Sequence, residues 1–308
     1  MDAMPDHVIL GAGTIGSNVA TILAARGETV RIVTRGGSGP EHPLIDRVAA
    51  DASDAARLTE LSRGAKAIYH CANPASYTSW HRLLPPLQTA AIAAAQANDA
   101  VLANTGSLYA YGPQPGGRMN EHTPLAATGR KGLLRKRNWE QSLAAGIRTV
   151  EARGSDFIGR DATGFYAMIL EPALRKGGTA WVTGHLDMPH TFTYNRDMAN
   201  ALVTLAADDR AWGRAWHVPS PPAITIRDLA ARYAAAYGKP PIRLIQLPRF
   251  LMRTAGTVLP IAREIAEMDY QYYAPFHMDA TETAETFGLT ATELDVAIRD
   301  QVDAAPAK

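Results

Sequence analysis

Short apolar runs alternate with segments of helical periodicity along the first half of the chain. Strands buried on both faces are predicted at residues 7–10, 29–34, 48–50, 67–71, 100–105 and 147–153. Helices are predicted between them at residues 17–26, 54–63 and 131–145, and a long alanine-rich helix is predicted to follow Pro86. This alternation predicts an α/β fold with a doubly wound parallel sheet.

The alternation loosens after Gly159. Helices are predicted at residues 194–206 and 226–237, a strand at 215–218, and mainly helix from residue 247 onward, while the Gly- and Pro-rich stretch 113–130 reads as a surface loop. We therefore predict a dinucleotide-binding domain over residues 1–160, completed by parts of 190–220. Residues 161–308 are predicted to form a smaller, mostly helical substrate-binding domain.

A glycine turn follows the first strand. Gly11, Gly13 and Gly16 have the G-x-G-x-x-G spacing between an apolar run and a helix. In a Rossmann-type cradle the first glycine allows the tight turn, the second lets a pyrophosphate reach the backbone, and the third lets helix and strand pack closely. The helix N-terminus then offers N–H groups to the phosphates, so this turn predicts a dinucleotide site.

The end of the second strand bears on which dinucleotide is bound. A carboxylate at this place holds the ribose hydroxyls in NAD-preferring folds, but here Thr34 and Arg35 occupy it. A guanidinium pairs well with a 2′-phosphate, so we predict NADP(H) in preference to NAD(H). The alternative is that Arg35 is a solvated loop cation.

Composition and charge indicate which partners and which compartment to expect for this protein. The formal net charge is +1, which gives no electrostatic reason to expect nucleic acid or an anionic membrane as partner. Cys71 is the only cysteine, and no apolar run is long enough to span a bilayer. The first residues lack the basic and apolar regions of a signal peptide, so a cytoplasmic protein with a small-molecule substrate is expected.

Further motifs resemble those of the extended short-chain dehydrogenase/reductase family, the NAD(P)-dependent epimerase/dehydratase type. Besides the glycine turn they are Asp51-Ala-Ser-Asp54, Thr105-Gly-Ser107, Tyr111-Gly112, Arg153-Gly-Ser-Asp-Phe-Ile-Gly159 and Thr193-Tyr194-Asn-Arg-Asp197. The resemblance covers nearly the whole chain. It implies a Rossmann-type sheet, a nicotinamide cofactor and oxidoreductase or epimerase chemistry.

The resemblance also assigns catalytic residues. In the family a serine ends the fifth strand four residues before a Tyr-Gly pair, which implies this role for Ser107. A Tyr-x-x-x-Lys motif lies on the next helix, four residues before a glutamate. Placing that glutamate on Glu140 puts the lysine at Lys136 and the tyrosine position at Gly132. The usual catalytic tyrosine is therefore absent, and we expect a gap at Gly132 that water, substrate or another hydroxyl fills.

A different proton donor is therefore expected. Tyr109 is the first choice because it lies two residues after Ser107, and Tyr77 is the second. A buried aromatic with a hydrogen-bonded hydroxyl is the alternative for Tyr109. His81 is also considered, with a surface or helix-cap histidine as the stronger alternative.

Several other polar residues are interpreted as structural. His70 reads as a satisfied core histidine and Cys71 as a small buried hydrophobe. The run Arg135, Lys136 and Arg137 reads as a solvated helix face, with only Lys136 marked by a motif. No His, Cys, Asp and Glu spacing suggests a metal site.

The complete set of candidate site residues follows from the motifs and the resemblance. The candidate cofactor-binding residues are Gly11, Gly13, Thr14, Ile15, Gly16, Thr34, Arg35, Asp51, Ala52, Cys71, Ala72, Asn73 and Lys136. The candidate catalytic residues are Ser107, Lys136 and Tyr109, and the candidate substrate-binding residues are Tyr77, Ser107, Tyr109 and Phe157.

Two functions are open at this point. One is an NADP(H)-dependent oxidoreductase or epimerase-like enzyme acting on a small hydroxyl or carbonyl metabolite. The other is a non-catalytic NADP(H)-binding sensor, which the absent tyrosine favours. The resemblance implies that arginines in the second domain hold a substrate diphosphate, for which Arg160, Arg175, Arg243 and Arg249 are available. It also implies a homodimer through the helices at 87–98 and 131–145, the first of which carries a stripe of small residues.

Overall fold

A computed structural model describes residues 4–162 and 164–304 of the chain. The chain divides into two compact units. The first unit comprises Met1–Ser107, Leu133–Arg153 and Met198–Trp216, and the second comprises Leu108–Gly132, Gly154–Asp197 and His217–Lys308. The two units take up similar shares of the chain, because residues 108–132 belong to the second unit although they precede residue 160.

The secondary structure follows the predicted alternation. In chain order the strands of the described residues are β1 (His7–Leu10), β2 (Val30–Thr34), β3 (Ile45–Ala49), β4 (Ala67–His70), β5 (Val101–Ser107), β6 (Arg118–Met119), β7 (Thr149–Gly154), β8 (Asp156–Ile158), β9 (Thr179–Thr183), β10 (Phe192–Tyr194), β11 (Ala215–His217), β12 (Arg243–Leu247) and β13 (His277–Met278).

The helices alternate with these strands. They are α1 (Thr14–Ala25), α2 (Ala55–Leu61), α3 (Trp80–Asn98), α4 (Arg130–Ala144), α5 (Phe165–Lys176), α6 (Asn195–Ala207), α7 (Ile226–Ala236), α8 (Arg249–Ala255), α9 (Pro260–Glu267), α10 (Tyr270–Tyr273), α11 (Thr281–Phe287) and α12 (Leu294–Ala304). Two short 3₁₀ turns are relevant to the site, Tyr77–Ser79 and Leu108–Tyr111.

A seven-stranded sheet with the order β11-β7-β5-β4-β1-β2-β3 organises the first unit. Strand β1 pairs in parallel with β2 and β4. Helices α1, α2 and α3 connect β1 to β2, β3 to β4 and β4 to β5, as the crossovers of a doubly wound sheet require, whereas a loop joins β2 to β3. Val8, Ile9 and Leu10 are fully buried, because helices cover both faces of a parallel sheet. The predicted Rossmann-type fold is confirmed.

Helix α3 begins earlier than the sequence predicted. It starts at Trp80 and contains Pro85 and Pro86, so the prediction that it follows Pro86 is wrong. Buried Trp80 and Leu84 anchor the first turns, and the indole Nε1 of Trp80 donates to the carbonyl of Pro74 at 3.0 Å. The carbonyls that lose their helical donors belong to exposed residues 81 and 82, where water can replace the proline N–H groups.

The small-residue stripe of α3 lies inside the first unit. Ala90, Ala91, Ala94 and Ala95 pack in a core cluster with Leu58 of α2 and neighbouring sheet residues. Close helix approach through this stripe therefore serves the core of this unit, so the stripe gives no support to the predicted dimer.

The second unit combines helices with three small parallel strand pairs. Strand β8 pairs with β10, β9 with β12, and β6 with β13. Its core includes Tyr166, Leu170, Val182, Leu229 and Ile298. The predicted surface loop 113–130 thus contains a strand, β6, whose pairing partner lies about 160 residues further along the chain.

Among the helices of residues 4–162 and 164–304, none is both long and apolar enough to cross a membrane. Within the same ranges, no three His, Cys, Asp or Glu side chains are grouped so that they could hold a metal ion.

Candidate functional site

The glycine turn between β1 and α1 has the geometry that a dinucleotide cradle needs. Gly11 has a φ of +91°, and a Cβ on it would lie 2.9 Å from the Cα of Ala72. A Cβ on Gly16 would lie 2.1 Å from the carbonyl oxygen of Gly11, so both positions exclude any side chain. A Cβ on Gly13, in contrast, would have no atom within 4 Å. The turn is closed where the protein packs and open where a pyrophosphate would approach.

The N-terminus of α1 faces the same opening. Gly13 is the N-cap residue, and no side chain caps the helix there. The first N–H groups of the helix, from Thr14, Ile15 and Gly16, point in the direction of the cap and carry the positive end of the helix dipole. This arrangement suits an anion such as a phosphate.

The ends of β2 and β3 place Arg35 beside an acidic residue. Thr34 pairs with Ala49, and Arg35 is exposed just beyond it. Asp51 accepts hydrogen bonds from the backbone N–H of Ser53 at 2.9 Å and from its hydroxyl at 2.8 Å. These bonds lower the pKa of Asp51, and the positive charge of Arg35 lowers it further. Sequence reasoning had not paired these two charges.

The residues after β4 combine a half-buried cysteine with a polar loop. The hydroxyl of Thr105 donates to the Sγ of Cys71 at 3.4 Å, and burial raises the pKa of Cys71 to about 12. The thiol is therefore protonated and unreactive near neutral pH. Ala72 packs against Gly11, Asn73 is exposed, and Ala52 is buried in the core of this unit.

His70, the last residue of β4, is buried with 4% exposure. Burial lowers its pKa to about 4, and the positive charge of Arg135 adds to this effect. The imidazole is thus neutral near pH 7. Its Nε2 is buried and has no hydrogen-bond partner among the described residues, so the expectation of a satisfied core histidine is wrong for this atom.

Ser107 is the last residue of β5, at the carboxyl edge of the sheet where ligands of such folds bind. Its Oγ is buried and makes no hydrogen bond within the described parts of the chain. Lys136 lies on α4 in the same unit and is half-buried, with its Nζ 3.8 Å from the Oε1 of Glu140. The first unit therefore holds the glycine turn, the serine and the lysine.

The surroundings of Gly132 differ from the expectation. A Cβ on Gly132 would lie 2.4 Å from the Cβ of Ala127 and 2.4 Å from the carbonyl oxygen of Tyr109. The predicted gap is absent, because a neighbouring loop and the backbone of the turn fill the space. A tyrosine does not fit at this position in this packing, and close contact rather than catalysis accounts for the glycine.

The candidate proton donors lie in different surroundings. Tyr109, in the turn Leu108–Tyr111, is half-buried and packs against the core of the second unit. Tyr77 is half-buried in the first unit, with its ring centroid 4.9 Å from that of Trp80. His81 is exposed on α3, and the ring of Phe157 in β8 approaches the backbone of Gly154.

A buried hydrogen-bonded chain fixes the turn that carries Tyr109, and sequence reasoning missed it. The Nδ1 of His217 lies 2.8 Å from the carbonyl oxygen of Asp279, which can only accept, so Nδ1–H donates. The hydroxyl of Tyr111 then donates to Nε2 of His217 at 2.7 Å. Both side chains are fully buried. The Tyr-Gly pair was the one signal, but its partner lies 106 residues away.

Arginines expected to hold a diphosphate are mostly paired with carboxylates in the second unit. Arg160 contacts Asp300 at 3.3 Å, Arg175 contacts Glu171 at 2.8 Å, and Arg249 makes two bonds of 2.7 Å to Asp269. Arg243 begins strand β12 and is exposed. Arg249 also lines a cavity of about 210 Å³ together with Tyr270, Tyr273 and Phe276.

Arg135 is not part of a solvated helix face, so that interpretation is wrong for this residue. Its Nη2 donates to the Oδ1 of Asn73 at 3.0 Å, and its guanidinium carbon lies 4.6 Å from the ring centroid of Trp80. Arg137, two positions further along α4, is exposed.

The comparisons with known proteins agree with this geometry. A model of the NAD dependent epimerase/dehydratase family matches residues 7–218. A search of curated proteins found no significant match.

Solved structures share the fold over almost the whole chain. WbmH of Bordetella bronchiseptica in complex with NAD+ is 20% identical, covers 98% of each chain and has a TM-score of 0.76. MoeE5 in complex with UDP-glucuronic acid and NAD is 17% identical, with 97% of this chain and 98% of that chain covered and a TM-score of 0.77. A UDP-glucose 4-epimerase is 15% identical, with 97% and 96% covered and a TM-score of 0.76.

Proposed function

We propose that this chain, which belongs to the NAD dependent epimerase/dehydratase family, is a nicotinamide-dependent oxidoreductase or epimerase-like enzyme. Its substrate is a small metabolite with a reacting hydroxyl or carbonyl group. The buried Oγ of Ser107, which has no partner among the described residues, carries this proposal. A buried polar group without a hydrogen bond costs about 1–3 kcal/mol, so a substrate oxygen that bonded to Ser107 would relieve that cost.

The proposed cofactor site is the glycine turn of the first unit. The open side of Gly13 and the uncapped start of α1 fit a pyrophosphate. The NAD present in the WbmH and MoeE5 structures supports a nicotinamide dinucleotide. We propose NADP(H) as the preferred form because Arg35 can pair with a 2′-phosphate. The neighbouring Asp51 carboxylate opposes this phosphate, so we expect a modest preference.

The chain's own residues supply binding and proton transfer. The chemistry that a bound nicotinamide would supply is hydride transfer to or from the substrate carbon. Ser107 donates a hydrogen bond to the substrate oxygen, and Lys136 holds the cofactor ribose while its positive charge favours a developing alkoxide. Tyr109 is our first choice for the proton donor, because Tyr111 and His217 fix the turn in which it lies. Tyr77 is the second choice for the proton donor.

A sensor that binds NADP(H) without catalysis is the second candidate function. The packing of Gly132 against Ala127 and Tyr109 favours it, because no tyrosine can occupy the family's catalytic position. Ser107 argues against it, since a protein that only binds the cofactor has no need of a buried hydroxyl at this edge of the sheet.

A homodimer is also proposed from the family resemblance, through exposed parts of α3 and α4. A monomer in light scattering at high protein concentration would overturn that proposal.

A matched pair of serine variants tests the catalytic proposal. Ser62 ends α2 and also has a buried Oγ without a partner among the described residues, but α2 ends near the amino edge of the sheet. We expect Ser107→Ala to lower turnover of a carbonyl or alcohol panel about 100-fold and to leave cofactor affinity unchanged. Ser62→Ala should retain parental turnover. Equal turnover in both variants would contradict the role of Ser107.

A further inference from the structure

A cavity of about 520 Å³ lies in the second unit, and the strand pair β6–β13 forms one of its walls. Arg118 is in register with His277 in this parallel pair, and paired strands lie about 4.8 Å apart. Asp279 comes two positions after His277, and its backbone N–H donates to the carbonyl of Met119 at 2.8 Å, so the pairing continues. Because side chains alternate along a strand, Arg118, His277 and Asp279 share one face, and all three line the cavity. The opposite face carries Met119 and Phe276, which are buried in a core cluster.

Two opposite charges line this cavity without pairing with each other. Within residues 4–162 and 164–304, the Arg118 guanidinium makes no hydrogen bond and has no carboxylate oxygen within 4 Å. The Oδ1 of Asp279 accepts from the N–H of Thr281 at 3.0 Å and from its hydroxyl at 2.7 Å, whereas its Oδ2 makes no hydrogen bond to a described residue. The bonds from Thr281 lower the pKa of Asp279, and the charge of Arg118 lowers it further, so the carboxylate is ionised near neutral pH.

His277 adds no second positive charge to this wall. Burial lowers the pKa of its imidazole, and the charges of Arg118 and His190 lower it further, so the ring is neutral near pH 7. The cavity therefore presents one cation and one anion, each with hydrogen-bonding capacity that the described residues do not use. The rest of the lining includes small apolar side chains and one larger one, which are Ala284, Ala291 and Leu289.

We propose that this cavity binds a zwitterionic amino acid with an apolar side chain. Arg118 binds the carboxylate through paired N–H donors, and the Oδ2 of Asp279 accepts from the ammonium group. A ligand with a single charge satisfies one of these residues and meets a like charge on the other. The apolar side chain lies against Leu289 and the two alanines, and the volume of the cavity is in the usual range of small-molecule sites, about 300–1,000 Å³. The inference goes beyond the proposed function, because these residues take no part in cofactor binding or proton transfer.

The experiment compares leucine with analogues that each lack one recognised group. Leucinamide lacks the carboxylate, 4-methylpentanoate lacks the ammonium group, and glycine lacks the apolar side chain. Valine, isoleucine and phenylalanine extend the panel of apolar side chains. Each compound is titrated into the whole chain at neutral pH, with saturation-transfer NMR and titration calorimetry as the binding signals.

We expect leucine to bind about tenfold more tightly than any of its three analogues. Arg118→Met should weaken binding of leucine and 4-methylpentanoate and leave binding of leucinamide unchanged. Asp279→Asn, which keeps an Oδ1 acceptor for Thr281, should weaken binding of leucine and leucinamide and leave binding of 4-methylpentanoate unchanged. The controls Arg137→Met and Asp303→Asn each remove an exposed charge elsewhere on the chain and should bind leucine as the parent protein does.

Three outcomes overturn the inference. They are no binding of any apolar amino acid; binding of leucinamide or 4-methylpentanoate as tightly as leucine in the parent protein; and unchanged leucine affinity in Arg118→Met. Urea denaturation of each variant shows whether its fold is retained. If Asp279→Asn is destabilised, Arg118→Met still decides the question, because its guanidinium makes no hydrogen bond to the described parts of the chain that the substitution would break.

Discussion

Gly13 and Gly132 both lie at the start of a helix, and their surroundings are opposite. A Cβ on Gly13 would meet no atom within 4 Å, whereas a Cβ on Gly132 would lie 2.4 Å from both Ala127 and the carbonyl of Tyr109. At Gly13 the missing side chain leaves space for a ligand. At Gly132 the protein's own backbone and a neighbouring alanine use that space.

This difference changes how the absent tyrosine is understood. A missing catalytic side chain suggests an empty pocket that substrate or water fills, but here Ala127 and the turn at Tyr109 lie against the helix at Gly132. A tyrosine introduced at Gly132 would therefore disrupt this packing.

The largest effect is expected from Gly132→Ala. Its added methyl group overlaps the carbonyl of Tyr109 and should lower the free energy of unfolding by about 3 kcal/mol, measured by urea denaturation. Gly36→Ala is the control, since a Cβ there meets no atom within 4 Å. Equal stability of the two variants would show that the contact at Gly132 relaxes without cost.

Tyr111→Phe tests the packed surroundings of Gly132 by removing a single hydroxyl group. Loss of the hydroxyl leaves Nε2 of buried His217 without its donor, so we expect a loss of about 2 kcal/mol of unfolding free energy. Tyr270→Phe is the matched control, because the hydroxyl of Tyr270 is buried with no hydrogen-bond partner in the described ranges. That variant should be neutral or slightly stabilised. A reversed order of the two variants would contradict the Tyr111–His217 bond.

Gly13→Ala tests the space beside Gly13, where no protein atom lies within 4 Å of an added Cβ. The methyl group meets no protein atom but occupies the approach of the pyrophosphate, so NADPH affinity should fall about tenfold. The free energy of unfolding should fall by less than about 1 kcal/mol, the typical cost of alanine at an N-cap. Calorimetric titration and urea denaturation separate the two effects. Unchanged affinity would mean that the cofactor does not bind over this turn.

Arg35→Asp should have the smallest effect. We expect the parent protein to bind NADPH more tightly than NADH by about fivefold, and the variant to lose most of that preference. Asp51 limits the size of the effect because its carboxylate lies near Arg35 and opposes the 2′-phosphate. Equal dissociation constants for the two cofactors in the parent protein would overturn the NADP(H) assignment.

The sequence predicted what depends on neighbours along the chain. The turn from Gly11 to Gly16 was readable because its strand, glycines and helix are contiguous. The helix predicted from residue 54 matches α2, for which Asp54 is the N-cap. The start of α3 was not readable, since burial of Trp80 outweighs the two prolines. The local sequence was therefore sufficient to predict the parallel sheet and the glycine turn.

Features of the candidate site that depend on distant residues were missed. The packing at Gly132 requires the turn at Tyr109, and the orientation of Arg135 requires Asn73, which lies 62 residues earlier. His217 reaches Tyr111 across 106 residues. The Tyr111-Gly112 pair marks one end of the last contact, but no local periodicity or motif identifies its distant partner.

Transfer of a labelled hydride tests the central claim most directly. The protein is incubated with NADPH deuterated at the transferable position of nicotinamide C4 and with a panel of small carbonyl compounds, and products are analysed by mass spectrometry. The account predicts deuterium on the former carbonyl carbon of at least one product in the parent protein, and about 100-fold less in Ser107→Ala. Tight NADPH binding with no deuterium in any product would contradict the catalytic account and support the sensor.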